Sequence, residues 1–265
     1  MEDAHLICTV ENRVAYLTMN RTERLNALSD VMTSSATERL QAISRDPEIG
    51  CVVVTGEGRA FCAGGDVRDM ASHKAPVRTT MEQGIDRVRA GQEMSWMLHT
   101  IPKVTIAAVN GYAMGAGLGI ALSCDLRIAS DKAKFGTAYA KVGLGGDYGV
   151  TWGLTHLIGQ AKAKEMMFLA DIIEADEAHR INLVNRVVPD HDLMTSVRAT
   201  AESIANGPQV SYRYMKENIN LATHSSYRDI LDREAVTHVR CGQTEDHKEG
   251  AKAFVEKRQP ALKGR

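Results

Sequence analysis

The chain has 265 residues, with 32 lysines and arginines against 33 aspartates and glutamates, a formal net charge of -1 and 44% hydrophobic residues. That length buries a sizeable core in one large domain, or in one domain with a helical appendage. The near balance of charge, with no basic block interleaved with aromatics, excludes a nucleic-acid surface as the leading function. Cys8, Cys51, Cys62, Cys124 and Cys241 are odd in number and scattered, without CxxC or Cys/His spacing. They argue for a reducing compartment and against a disulfide frame or zinc site. The start, MEDAHLICTV, has no basic segment leading into an apolar run, and no stretch reaches about 18 uninterrupted apolar residues. The expectation is a soluble cytoplasmic protein with no membrane and no nucleic-acid partner.

HLICTV and VAYLTM, separated by Glu11-Asn12-Arg13, read as a β-hairpin. Ser29 suits the N-cap of a helix running to about Arg45, ended by Asp46-Pro47. CVVVTG is a continuous apolar run of the kind buried on both faces of a sheet. The loop GEGRAFCAGGDV then leads into a short helix. Residues 72 to 82 are polar and unpatterned and read as a flexible insertion. A helix to about Leu98 and a break at Pro102 precede a second buried strand, VTIAAVN. CDLRIAS reads as a third strand, KFGTAYAKVGLGGDYG as an irregular glycine-rich region, and WGLTHLIG as a helix. From about Glu177 the chain is helical, interrupted by LVNRVVP. The pattern predicts an α/β core over 1-195 and a helical assembly region over 196-265.

The stretch GYAMGAGLG, Gly111 to Gly119, fits neither common phosphate loop. Its third glycine is misplaced for GxGxxG, and no Gly-Lys-Ser/Thr ends it. Small residues that let a helix pack closely would explain it alone. A second loop, FCAGGD (Phe61 to Asp66), also follows a buried strand and also opens a helix. Two sets of backbone N-H groups, one at a helix N-terminus, make an oxyanion hole when they converge on a carbonyl oxygen that gains charge.

RTERLNAL, VVVTGEGRAFCAGGDV, KVTIAAVNGYAMGAGLGIALSCDLRIAS, KFGTAYAKVGL and AFVEKR, in this order over nearly the whole chain, closely resemble the enoyl-CoA hydratase/isomerase, or crotonase, family. The resemblance implies a spiral of stacked ββα turns with a C-terminal helical trimerisation region, assembled as a homotrimer or a homohexamer. It implies an acyl-CoA thioester substrate, no cofactor beyond the CoA moiety, and no metal. The oxyanion donors it implies are the N-H groups of Gly65 and Ala116. CoA-binding positions fall on Arg24, Leu25 and Ala27, on the backbone of Ala63, Gly64, Asp66 and Val67, and on Phe254 and Lys257 near the C-terminus.

The sequence departs from the pattern at two places. Many hydratases of this family place water with two glutamates, and these positions hold Gly119 and Tyr139. A glycine, and a tyrosine with the ordinary pKa near 10, are poor replacements for groups that orient and deprotonate water. Asp147, in GLGGDYG, matches the catalytic aspartate of several family isomerases, including epoxyphenylacetyl-CoA isomerases, which also lack both glutamates. By composition alone Asp147 is a turn residue and Tyr139 a packed aromatic. By resemblance Asp147 is the single base of an isomerisation and Tyr139 a hydrogen-bond donor beside the reacting carbons. A nucleophilic aspartate, as in the family's aryl-CoA dehalogenases, is a further alternative. Two more are a hydratase or lyase with a non-standard water site, and an acyl-CoA-binding protein without catalysis. Asp66 reads as a helix cap, Cys62 as packing, and His99 and His156 as structural or surface groups.

Overall fold

The computed structural model describes residues 5-71 and 80-265. The expected hairpin is β1 (Leu6–Glu11) and β2 (Val14–Met19), antiparallel. Its two turn residues, Asn12 and Arg13, both have positive φ (49° and 67°), as a type I′ turn requires. Helix α1 (Asp30–Arg45) starts where the sequence says: the Ser29 hydroxyl accepts from the Met32 N-H at 3.1 Å.

Three strand-strand-helix turns follow. The first is β3 (Cys51–Gly56), β4 (Ala60–Cys62) and α2 (Val67–Ala71), continued by α3 (Met81–Thr100). The second is β5 (Val104–Val109), β6 (Tyr112–Met114) and α4 (Ala116–Ser123). The third is β7 (Leu126–Ser130), β8 (Lys134–Gly136) and α5 (Val150–Leu169), which is kinked at Gly159. Residues 72-79 of the anticipated insertion lie outside the described residues. Its end is ordered by a capping box: Thr80 Oγ1 accepts from the Gln83 N-H, and Gln83 Oε1 from the Thr80 N-H, at 3.2 and 3.0 Å. The segment KFGTAYAKVGLGGDYG is less irregular than its composition suggests, since it opens with β8.

The chain continues through β9 (Ile173–Glu174), α6 (Ala175–Arg180) and β10 (Arg186–Val188). It ends in α7 (Leu193–Ala205), α8 (Gln209–Ala222), α9 (Tyr227–Gly242) and α10 (Glu245–Glu256). The interruption LVNRVVP therefore contains a short strand, β10.

The long strands form one six-stranded sheet, ordered β1-β2-β3-β5-β7-β10 and parallel from β2 onward; the short ones form a second, ordered β4-β6-β8-β9. Each turn of the chain thus visits one sheet, then the other, then a helix. Alternation along β3 divides the core: Cys51 and Val53 face α7 with Tyr16, Ile106 and Ile128, whereas Val52 and Val54 face α1, α3 and α4. That two-sided burial is why the strand is apolar throughout. Residue 195, the expected end of the core, falls inside α7, whose Leu193, Val197, Ala201 and Ala205 close one face of the large sheet. Among the described residues no helix is long and apolar enough to cross a membrane.

Candidate active site

The second, short strand of each turn brings the two glycine loops together. Strands β4 and β6 pair in parallel, so the residues after Cys62 and after Met114 leave the sheet side by side. Gly64, at φ +86°, makes this approach possible: a Cβ on it would stand 2.6 Å from the Met114 carbonyl oxygen and 3.2 Å from the Ala116 nitrogen. Gly117 has the same function one step later, because a Cβ there would collide with the Cys62 carbonyl. Ala116 is the first residue of α4, whose N-terminus carries the positive end of the helix dipole. Among the described residues, neither the Gly65 nor the Ala116 N-H donates to an acceptor within the chain. Two uncommitted donors therefore flank one contact point.

RTERLNAL forms the outer wall. Leu25 and Asn26 are both left-handed (φ 52° and 56°) and reverse the chain. The Leu25 carbonyl then accepts from the Ala63 N-H at 3.0 Å, and the Leu28 N-H donates to the Gly64 carbonyl at 2.8 Å. Buried Asn26 fixes the reversal, giving its amide protons to the carbonyls of Glu57 and Ala60 and accepting from the Arg21 N-H. Asp66 caps α2 through the Arg68 N-H at 3.2 Å, as its position implies, and it is also paired with Arg21 at 3.3 Å and Arg24 at 3.6 Å. Sequence reasoning missed Arg21. Its signal was the three-residue spacing from Arg24 across a single 3-10 turn, which puts both guanidinium groups on one side.

On the other side of α4, Tyr139 and Asp147 meet. The Tyr139 hydroxyl donates to Asp147 Oδ1 at 2.6 Å, while Oδ2 has no partner among the described residues. Tyr139 follows left-handed Ala138 in a short 3-10 turn, and its ring packs beside Gly115, the residue before α4. Two glycines with positive φ, Gly143 and Gly146, let the intervening loop fold back to bring Asp147 there. Burial holds the Asp147 carboxyl above the usual carboxylate range, and the Tyr139 hydrogen bond works in the opposite direction. Burial, followed by the bond to Asp147, pushes the Tyr139 phenol well above its ordinary value, so it stays a donor.

Gly119 has no room for a side chain. A Cβ there would lie 2.5 Å from the Tyr148 carbonyl oxygen and 2.9 Å from the Tyr148 Cβ. The space that a glutamate at this position would need is filled by backbone of the Asp147 loop.

The remaining sequence candidates lie outside this cluster. Phe254 is 85% exposed near the end of α10 and Lys257 terminates that helix; among the described residues no hydrogen bond, ion pair or ring contact joins either to the groups above. The Cys62 thiol is fully buried and pushed up to about 12, so it is not a nucleophile at neutral pH. His156 stacks on Trp152 with ring centroids 4.1 Å apart, and His99 meets the same indole edge-on at 5.0 Å. Among the described residues no three His, Cys, Asp or Glu side chains are gathered as a metal set.

A spiral of ββα turns with two backbone donors at adjoining loops is the architecture of the crotonase-fold enzymes. The crystal structure of an enoyl-CoA hydratase from Bacillus anthracis superposes with a TM-score of 0.92 at 31% identity, covering 98% of this chain and 100% of that one. The family model for enoyl-CoA hydratase/isomerase matches residues 9–265. The chain belongs to the enoyl-CoA hydratase/isomerase family and is an enzyme of it. Its relatives include the 1,2-epoxyphenylacetyl-CoA isomerase of Escherichia coli, 35% identical over 98% of both chains, and the short-chain-enoyl-CoA hydratase of Clostridium acetobutylicum, 36% identical over 97% of both.

Proposed function

We propose that this chain is an acyl-CoA isomerase that moves a proton through Asp147 on an enolate held by the Gly65 and Ala116 N-H groups. The observation that carries the reading is the state of the acid: Asp147 is half-buried, with one oxygen held by Tyr139 and the other unpartnered among the described residues, while a glutamate at 119 is sterically forbidden. A single carboxylate suffices for this reaction. It takes a proton from one carbon of an enolisable thioester and returns it to another, while the oxyanion donors carry the intermediate charge. A raised pKa suits both steps, because the group must accept a proton and then release it near neutral pH.

Arg24 supports the thioester's other end. Its Nη1 is buried and lacks a hydrogen-bond acceptor among the described residues, although Asp66 stands 3.6 Å away, which leaves it available to an anionic group such as a CoA phosphate. The names of the Escherichia coli and Clostridium relatives support an acyl-CoA substrate equally for isomerisation and hydration. Hydration is the second reading, favoured by the Clostridium relative, and it requires a water site not built on residues 119 and 139.

Asp147→Asn tests the scheme. It is expected to abolish most turnover and most solvent deuterium exchange into a β,γ-enoyl-CoA, with acyl-CoA affinity near that of the parent. Full turnover in this variant overturns the one-base scheme. Mass spectrometry of the parent's product, with or without the mass of water, separates isomerisation from hydration.

A further inference from the structure

The two oxyanion donors draw on different sources of positive potential. Ala116 opens α4, a helix of eight residues, and its N-H belongs to the positive end of that helix. Gly65 lacks such support, because it lies two residues before α2, which is only five residues long. Behind Gly65 stands a guanidinium group instead, joined to it through two peptide units.

Arg21 Nη1 donates to the Ala27 carbonyl at 2.6 Å, and at 3.4 Å to the Leu28 carbonyl. On the far side of the Ala27–Leu28 peptide, the Leu28 N-H donates to the Gly64 carbonyl at 2.8 Å, and Leu28 and Gly65 form a single parallel bridge. On the far side of the Gly64–Gly65 peptide is the oxyanion donor itself. The described residues contain no cis peptide, and in a planar trans unit the C=O and N-H point in opposite directions. Each bond to a carbonyl therefore fixes the aim of the N-H across the unit. It also polarises that N-H into a better donor, and the effect adds along a file of such bonds. Arg21 heads the file with a full positive charge. Its side chain is 11% exposed, which limits screening by solvent. Nη2 is held by Asp66 Oδ2 at 3.3 Å, and Arg24 stands 3.6 Å from Oδ1 of the same carboxylate, so these three groups keep one positive charge in excess. Asp66 is the residue after Gly65. The Arg21 guanidinium thus grips the loop on both sides of the donor.

We infer that Arg21 is a positioning residue of the oxyanion hole: through the Ala27–Leu28 and Gly64–Gly65 peptides it aims the Gly65 N-H and strengthens it against the charge that develops on the thioester oxygen. It does this without touching substrate. The role rests on the reading of Gly65 as an oxyanion donor to an acyl-CoA, and not on which reaction follows binding.

Isotope-edited infrared spectroscopy of butyryl-CoA bound to the full chain tests it, because a stronger hydrogen bond to the thioester carbonyl lowers its stretching frequency. In the parent the frequency is expected to fall on binding. Arg21→Met, neutral and of similar reach, is expected to reverse at least roughly a tenth of that fall, with calorimetric affinity for CoA itself unchanged. Arg21→Lys keeps the charge and is expected to recover most of the fall, which a role in packing alone would not produce. Arg21→Gln is expected to shift the frequency in the same direction as the methionine, and it serves as the second neutral variant if the methionine does not fold. With a β,γ-enoyl-CoA, kcat of the neutral variants is expected to drop about tenfold, a part of the worth of one oxyanion donor, with a smaller change in KM. An unchanged frequency in the folded neutral variants overturns the role of Arg21, and a loss of CoA affinity beside it makes the residue a phosphate contact instead. A shifted frequency in a protein that turns over no β,γ-enoyl-CoA upholds Arg21 and overturns the isomerase. A parent whose bound thioester shows no fall in frequency overturns the oxyanion reading, and the role of Arg21 with it.

Discussion

The Tyr139 to Asp147 hydrogen bond makes two residues titrate as one device. Burial raises the carboxyl and the phenol's proton pulls it back, so the acid limb of the rate reports the difference between the two. Under the proposed one-base scheme only ionised Asp147 takes a proton, so activity is expected to rise with pH through its folded pKa, at a pH above the ordinary carboxylate range. Tyr139→Phe removes the lowering influence and leaves the burial. The acid limb of the kcat/KM profile is expected to move to higher pH; a tyrosine that merely packs would lower the rate at every pH without moving the limb. The sequence marked both residues, through their coincidence with functional positions of the family. It did not show that they touch, because the link depends on how Gly143 and Gly146 fold the seven residues between them. Arg21 was passed over because an isolated arginine reads as a solvated cation, its spacing from Arg24 being the one trace it leaves in the sequence.

Among the elements, the short second strands decide where chemistry can occur. β4, β6 and β8 are each three residues long, too short for alternation to register, so the sequence showed long strands running straight into glycine loops. The long strands were legible because burial on two faces leaves an unbroken apolar run. The short ones make the loops parallel neighbours and so create the donor pair. Gly64 is where that arrangement is most exposed to change. Gly64→Ala puts a side chain at φ +86° and against the Met114 carbonyl, and is expected to cost about 1-3 kcal/mol of stability. Because the substitution moves the Gly65 and Ala116 N-H groups apart, kcat should fall more than KM rises. Denaturant titration and steady-state kinetics on one preparation check both.

For the whole molecule, α7 and the Lys216–Asp125 ion pair join the expected core to the expected helical region. α7 belongs to the core by its packing, and it is more apolar than the helices after it. Beyond it, Lys216 on α8 is 7% exposed at its side chain and pairs with Asp125 at 2.9 Å, while also capping the last carbonyls near the end of α3. Asp125 in turn accepts from the Thr105 N-H and hydroxyl at the start of β5. Removing the lysine leaves a partly buried carboxylate and two carbonyls short of a partner. Lys216→Ala is expected to destabilise the chain by about 3 kcal/mol, with protease cleavage appearing first between α7 and α8. Nothing in the sequence distinguished this lysine from the solvated ones around it, because its partners are 91 residues or more away.

The contact between Gly119 and Tyr148 restricts how this protein can change. Restoring a glutamate at 119 by a single substitution drives it into the backbone of the loop that carries Asp147. Rebuilding that loop first would displace Asp147, the acid of the proposed reaction. Under the one-base proposal each step is harmful without the other, so glutamate-assisted hydration has no neutral first move from this sequence.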